Sequence, residues 1–217
     1  FGVSFESAVQ LYRRAGQLPN LLIRGIACHI GSQLLDPQPA ADAAARLLEL
    51  VDALAAENIV FEHIDLGGGM GIRYRDENVL SVDDYLAPML ARLAGRKEML
   101  LVEPGRSLVG NAGLLLTRVE VLKHGAEKNF AVVDAAMNDL ARPALYDAWH
   151  DIVKVKAGGL TPAVGAGRTA PPAPDVPQCY EIVGPICESG DFLGHDRELS
   201  LAEGDLLAIL SAGAYGM

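Results

Sequence analysis

The sequence predicts an α/β unit followed by a mostly β domain, and three observations carry that prediction. Strand-like and helix-like segments alternate from the N-terminus to Glu103. Residues able to do chemistry collect just past the ends of the predicted strands: His29 after one, Gly67 to Gly69 after another, Glu103 and Arg106 after a third. From about Leu114 the apolar runs follow one another with no long helical pattern between them. Regular strand–helix–strand order implies right-handed crossovers and a parallel sheet, here part of an α/β barrel. In such sheets the active groups gather at the C-terminal ends of the strands.

Taken in order, Ser4 caps a helix whose apolar positions Ala8, Val9, Leu11 and Tyr12 recur at helical spacing. A strand is read around Leu22 to Ile30, then an alanine- and leucine-rich helix from about Pro39 to Glu57. A strand Val60 to Leu66, a helix Val82 to Leu93 and a strand Met99 to Glu103 complete the first part. In the second part strands are read at Leu114 to Leu122, Phe130 to Asp134, Ile152 to Lys156, Gln178 to Gly184 and Asp205 to Leu210. Between them Ala157 to Pro177, rich in Pro, Gly and Ala, reads as a surface excursion that buries little. The two domains are therefore set at 1–113 and 114–217, with no internal repeat.

Composition narrows the class. With 217 residues, half of them apolar and a fifth charged, the chain reads as globular. A net charge of -10 argues against nucleic acid as a partner. No apolar run reaches the roughly 18 to 20 residues of a membrane helix, so no membrane partner is expected. Three cysteines, Cys28, Cys179 and Cys187, lack any C-x-x-C spacing, which favours reduced thiols, a cytoplasmic setting and no metal. The chain opens on Phe1 and stops at Met217 just after a buried-looking run, so both ends read as cuts through a larger protein.

Several stretches could carry chemistry, and each has a plainer reading. "DLGGGMGI" fails the dinucleotide fingerprint, because the position of a third glycine is Ile72 and no capped helix follows. Its three consecutive glycines could bring backbone N–H groups close to a phosphate, or simply form a tight turn after a strand. In "EPGRS", Glu103 and Arg106 could be an internal ion pair, or a carboxylate serving a cationic nitrogen beside an arginine fork for an anion. His29 could be a core histidine, although Gly31 and Ser32 after it suit an anion. Arg142 and Tyr146, spaced i, i+4, share a helix face if the turn at Pro143 is helical, and otherwise belong to a solvated surface. Cys28 reads as strand filler. In "GPICESGD" a thiol, Cys187, stands beside a carboxylate, Glu188, and could be a ligand, a nucleophile, a proton donor or a small apolar group.

Together "CHIGSQ", "DLGGGMGI", "EPGRSLVGNAG", "VDAAMNDLARPALYDAWH", "GPICESGDFLG" and "GAYGM" resemble the diaminopimelate decarboxylase family, pyridoxal-phosphate (PLP) enzymes of the alanine-racemase-like fold group. The resemblance runs from Phe1 to Met217 in unbroken order. It implies a (β/α)8 TIM-type barrel bearing PLP, a β domain, and a homodimer with shared active sites. The implied reaction is decarboxylation of meso-2,6-diaminopimelate to L-lysine with release of CO2, the last step of lysine biosynthesis. In this family His29 is expected to stack on the pyridine ring. Ser32, Gly67, Gly68, Gly69, Gly105, Arg106 and Tyr215 are expected near the cofactor and its phosphate, and Glu103 at the pyridine nitrogen. The substrate's distal carboxylate falls to Arg106, Arg142 and Tyr146, its distal ammonium to Glu188, and Tyr215 is expected to bind the substrate as well. Cys187 is the expected acid that reprotonates Cα, reaching in from the partner subunit. A thiol of ordinary pKa, about 8.5, is protonated near neutral pH and can donate.

The family's Schiff-base lysine lies on an early barrel strand, and Lys97, Lys123, Lys128, Lys154 and Lys156 match none of its contexts. The 217 residues alone are accordingly expected to be inactive. Related PLP decarboxylases of arginine, ornithine or carboxynorspermidine share the barrel motifs, but a simple diamine precursor has no use for Arg142. A catalytically dead regulatory homologue has no need to keep Glu103, Arg142, Cys187, Glu188 and Tyr215 together.

Overall fold

A computed structural model of the chain describes residues 2–155 and 176–216. These fall into two compact units, one of Phe1–Arg73 with Glu77–Ser107, the other of Tyr74–Asp76 with Leu108–Met217. Most of the Pro/Ala-rich excursion, residues 157–175, and the expected strand end at Lys156 lie outside the described residues.

The first unit alternates helix and strand. Helix α1 (Phe5–Ala15) starts at Ser4, whose Oγ accepts from the Ser7 amide at 3.3 Å, the N-cap read from the sequence. Helix α2 (Gln38–Ala55) buries Ala40, Ala44, Leu47, Leu48, Val51 and Leu54, an apolar stripe at helical spacing. Each leucine so buried contributes roughly 1.5–3 kcal/mol. Helix α3 (Val82–Leu93) is capped by Ser81 and carries Asp83 and Asp84 at its positive end. Tyr85, Met89 and Leu93 on α3 and the stripe of α2 belong to one core with Ile26 and Ile64 of the sheet. The sheet consists of β1 (Gly25–Ala27), β2 (His63–Asp65) and β3 (Met99–Leu101), all parallel, in the order β1-β2-β3. The register pairs Gly25 with His63 and Met99, Ile26 with Ile64 and Leu100, and Ala27 with Asp65 and Leu101.

These strands are shorter than their apolar runs suggest. Leu22 is 76% exposed and Val60 69% exposed, so the early part of the first two runs lies outside the ladder and hydropathy alone overextends them, while the third stops at Leu101, short of Glu103. The sequence reading also lacks a short helix, α4 (Gly105–Val109), directly after the third strand.

The second unit is a six-stranded mixed sheet. Its strands are β4 (Leu115–His124), β5 (Asn129–Val133), β6 (Ile152–Lys154), β7 (Gln178–Val183), β8 (Phe192–Leu199) and β9 (Leu206–Ile209), with a short helix α5 (Ala141–Tyr146) between β5 and β6. Their order is β6-β9-β4-β5-β7-β8. Among the described residues of this sheet only β5 and β7 pair in parallel. The two ends of this order, β6 and β8, approach each other, so the sheet curls towards closure around Val119, Val133, Ile182, Leu193, Leu207 and Ile209. Strand β8 is absent from the sequence reading. Its alternation is broken at Asp196, which has φ of 52°, and the register with β7 shifts, so "FLGHDREL" never shows a clean period of two.

Glu181, on β7, is almost wholly buried and binds both Lys128 Nζ and His195 Nδ1. Burial pushes its pKa up, but the hydrogen bonds from Lys128 and His195 outweigh this and hold it below the ordinary 4.5. A depressed carboxyl adds stability that is complete above its unfolded value and is lost as pH falls through the folded one. The urea midpoint should therefore drop on going from pH 6 to below about 4.5, and Glu181→Gln should flatten that decline. An unaltered acid limb in the variant would remove Glu181 from the account.

Candidate functional site

Parallel pairing in register has a consequence for chemistry. Ala27, Asp65 and Leu101 are paired across the sheet, and two residues beyond each stand His29, Gly67 and Glu103. The ladder runs on past the strands: the Cys28 amide donates to Asp65 O (2.9 Å), Leu66 to Leu101 O (3.1 Å) and Glu103 to Gly67 O (2.8 Å). His29, Gly67 and Glu103 line one cavity of about 790 Å³, together with Cys28, Gly31 and Asp65. Asp65 is engaged at the turn itself, its Oδ1 accepting from the Gly67 amide at 2.7 Å.

The glycines are there because nothing larger fits. A Cβ on Gly67, at φ of 68°, would meet His29 Nδ1 at 2.7 Å. On Gly68 it would meet Glu103 O at 2.3 Å, and on Gly69, at φ of 104°, Gly31 O at 2.6 Å. The plain tight-turn reading of these glycines therefore holds, and it is also what draws the three strand ends together. Cys28, read as strand filler, is half-buried past the strand end and lines the cavity. Burial, and then the charge of Asp65, pushes its thiol up, so it stays protonated and unreactive.

Ser32 and Arg106 meet. Arg106 Nη2 and Nε donate to Ser32 Oγ at 3.0 and 3.3 Å, which puts a guanidinium and a hydroxyl side by side at the start of α4, one residue after Gly105. The loop carrying Ser32 is pinned by its neighbour Gln33, whose Nε2 donates to Ile72 O (2.6 Å) while its Oε1 accepts from the Ile72 amide (3.1 Å). Gln33 has φ of 58°, an uncommon conformation for a non-glycine residue, held here by that double bond. The sequence reading assigns Gln33 no role; its one signal is its position next to Ser32.

In the sheet unit the turn at Pro143 is helical, so Arg142 and Tyr146 both lie on α5. Arg142 is held rather than solvated. Its Nη1 lies 2.9 Å from His150 Nε2, and its guanidinium sits 4.5 Å from the centroid of the Tyr74 ring. Tyr146 is 74% exposed. Tyr215, also exposed, has φ of 56° and lies between Ala214, which is buried, and Gly216, whose carbonyl accepts from the Ala141 amide at 3.0 Å. Arg197, buried against Trp149 at 3.2 Å from the ring centroid, donates from Nη2 to the His150 carbonyl at 3.0 Å. Burial pushes its pKa down to about 10, still protonated at neutral pH.

Cys187 and Glu188 are both exposed on the turn that links β7 to β8. The turn owes its shape to Asp191, which is 3% exposed. Its Oδ1 accepts from the Met137 amide (2.7 Å) and its Oδ2 from the Ile186 amide (2.8 Å). A Cβ on Gly184 would strike Asp191 Oδ2 at 2.3 Å, which explains the glycine opposite it. Glu188 Oε1 accepts from Ser189 Oγ (3.1 Å) and the Gly190 amide (3.4 Å).

Among the described residues no three or more His, Cys, Asp or Glu are grouped so as to hold a metal ion, and no helix is long and apolar enough to cross a membrane.

The family model described as pyridoxal-dependent decarboxylase, C-terminal sheet domain, matches residues 12–213. The chain belongs to the pyridoxal-dependent decarboxylases. Over 216 residues, all of this chain, it is 55% identical to a diaminopimelate decarboxylase of Neisseria meningitidis serogroup A and 53% identical to one of Pseudomonas aeruginosa. It spans about half the length of these curated relatives, 50% and 48%. Among solved structures, diaminopimelate decarboxylase of Helicobacter pylori complexed with L-lysine is 36% identical, with a TM-score of 0.84 over all of this chain and 50% of that one. A lysine/ornithine decarboxylase of Vibrio vulnificus complexed with cadaverine, at 23% identity and a TM-score of 0.82 over all of this chain and 55% of that one, shares the fold.

Of the expected site residues, this decarboxylase-family chain brings His29, Gly67 and Glu103 to one cavity and Ser32 to Arg106. Gln33, Asp191 and His150, which hold the site loops, have no part in the sequence reading.

The two amide hydrogen bonds to Asp191 contribute to the stability of the full-length protein. Asp191→Ala leaves two amides without their acceptor and should cost at least about 2 kcal/mol. Asp191→Asn should cost nearly as much, because its amide nitrogen faces one of those N–H groups donor to donor. Denaturant titration of both variants checks this, and a neutral Asp191→Asn would contradict it.

Proposed function

We propose that the protein containing this chain decarboxylates meso-2,6-diaminopimelate to L-lysine and CO2, with pyridoxal phosphate as its cofactor. One observation carries the reading: His29, Gly67 and Glu103 line the same cavity. The choice of substrate is supported by the relatives named diaminopimelate decarboxylase, at 51–56% identity in the first five matches. On this reading the three parallel strands are part of a (β/α)8 barrel ending near residue 113, and the chain works in a cytoplasmic homodimer. Free thiols at Cys28, Cys179 and Cys187 suit a reducing compartment.

The residues present fit pyridoxal phosphate. A carboxylate and an imidazole line the cavity, and an arginine and a serine hydroxyl stand together at a helix start. When bound, the cofactor supplies a protonated ring that takes up the electron pair left at Cα as CO2 departs. In our reading Glu103 holds the proton on the ring nitrogen, since a carboxylate neighbour favours the cationic form. His29 covers the ring face and excludes water. Arg106, Ser32, Tyr215, Gly105 and the amides of Gly67, Gly68 and Gly69 hold the phosphate, whose dianion matches a guanidinium and oriented N–H groups.

Arg142 takes the substrate's distal carboxylate with help from Arg106 and Tyr146, Tyr215 adds a further contact to the substrate, and Glu188 takes the distal ammonium. A recognition set of this kind rejects a substrate lacking those groups, because its own charges would be left unpaired. Such rejection favours diaminopimelate over a diamine precursor such as ornithine. Cys187, from the partner subunit, gives its thiol proton to Cα. Its exposure and that of Glu188 suit such a role.

The complete enzyme tests this. Cys187→Ala should lower kcat by about a hundredfold or more, the range of a lost general acid, while KM for diaminopimelate moves less than about threefold. Unchanged turnover would remove the proton donor from the mechanism.

A further inference from the structure

The sheet unit holds a buried imidazole that the chemistry above leaves unused. His150 has no accessible surface. Its Nδ1 lies 2.8 Å from Leu210 O, and a carbonyl only accepts, so Nδ1 carries a hydrogen. Its Nε2 lies 2.9 Å from Arg142 Nη1, and a guanidinium only donates. Nε2 must therefore present its lone pair, which makes the ring neutral and selects one tautomer. The residue is held by further contacts to its ring and its backbone. It stands edge-on to Tyr74, with centroids 5.3 Å apart and planes at 78°, and the backbone carbonyl of His150 accepts from the buried Arg197.

We propose that His150 is a positioning residue that orients the Arg142 guanidinium for the substrate's distal carboxylate. The inference rests on the reading of Arg142 given under Proposed function. Nη1 is tied to His150 and the face of the guanidinium is laid on Tyr74, so the plane of the fork is set by two contacts of different kinds. Bidentate capture of a carboxylate depends on that plane. A lysine at position 142, or an arginine without His150, would keep the charge and lose the orientation. The sequence places the device within one short segment, α5 with the residues leading into β6, and Tyr74 supplies its floor.

The test uses the full-length holoenzyme. His150→Ala should raise KM for meso-diaminopimelate about tenfold, the scale of a lost hydrogen bond to a charged group, while kcat changes less than about threefold. In an Arg142→Ala background the same substitution should raise KM no further, and His150→Gln, whose Oε1 can accept from Nη1, should recover most of the loss. An unchanged KM in His150→Ala, or an equal rise in both backgrounds, would make His150 merely structural and overturn the inference. If the alanine variant does not fold, His150→Gln and the ring ¹⁵N shifts of the wild type decide. A hydrogen on Nδ1 only supports the inference, and a hydrogen on Nε2 overturns it. Arg142→Ala with an unchanged KM would instead bring down the reading of the substrate site. A raised KM there with no effect of His150→Ala sinks the positioning role alone.

Discussion

Everything in the α/β unit depends on the register of three short parallel strands. Because Ala27, Asp65 and Leu101 pair across the sheet, the residues two further on leave it in one row. A slip of one residue would turn every side chain to the opposite face of the sheet, and the imidazole, the glycine turn and the carboxylate would no longer share a cavity. The register is held by buried Ile26 and Ile64 and by the ladder bonds that continue into the loops. The glycines allow the approach. With Cβ atoms at Gly67, Gly68 and Gly69, the loops after the first and third strands could not close on the second.

A second theme is that the loops are shaped by side chains bonding to backbone. Gln33 binds both polar groups of Ile72, Asp191 takes two amides, and His150 takes the Leu210 carbonyl. Each satisfies partly buried polar backbone, which would cost up to about 1–3 kcal/mol per group if left unpaired away from water. Each also lies next to a residue assigned to cofactor or substrate: Ser32, the Cys187 turn and Arg142. On the proposed reading, precision at the site thus comes from neighbours with no chemistry of their own, as preorganised sites require.

Much of this was legible in the sequence, unevenly. Helix α3 appears with the expected bounds and α1 starts at its expected serine cap, because an amphipathic helix carries its signals locally. The parallel strands were recognisable by type but overextended, since exposed Leu22 and Val60 look like core in a hydropathy pattern. Strand β8 stayed hidden because the irregularity at Asp196 removes the alternation by which strands are found. Residues bearing distinctive chemistry, such as Glu103, Arg106 and Cys187, could be picked out by type and place. Gln33, Asp191 and His150 could not, because what makes them matter is a partner 39, 54 or 60 residues away.

The most direct measurement is the protonation state of the cofactor's ring nitrogen in the full-length enzyme, read from the ¹⁵N shift of pyridoxal phosphate labelled at that atom. A carboxylate at position 103 facing the ring predicts a protonated nitrogen at neutral pH, and loss of that proton when Glu103 is replaced by glutamine. An unprotonated nitrogen in the wild type, or a signal indifferent to that replacement, would contradict the placement of Glu103 on which the account stands.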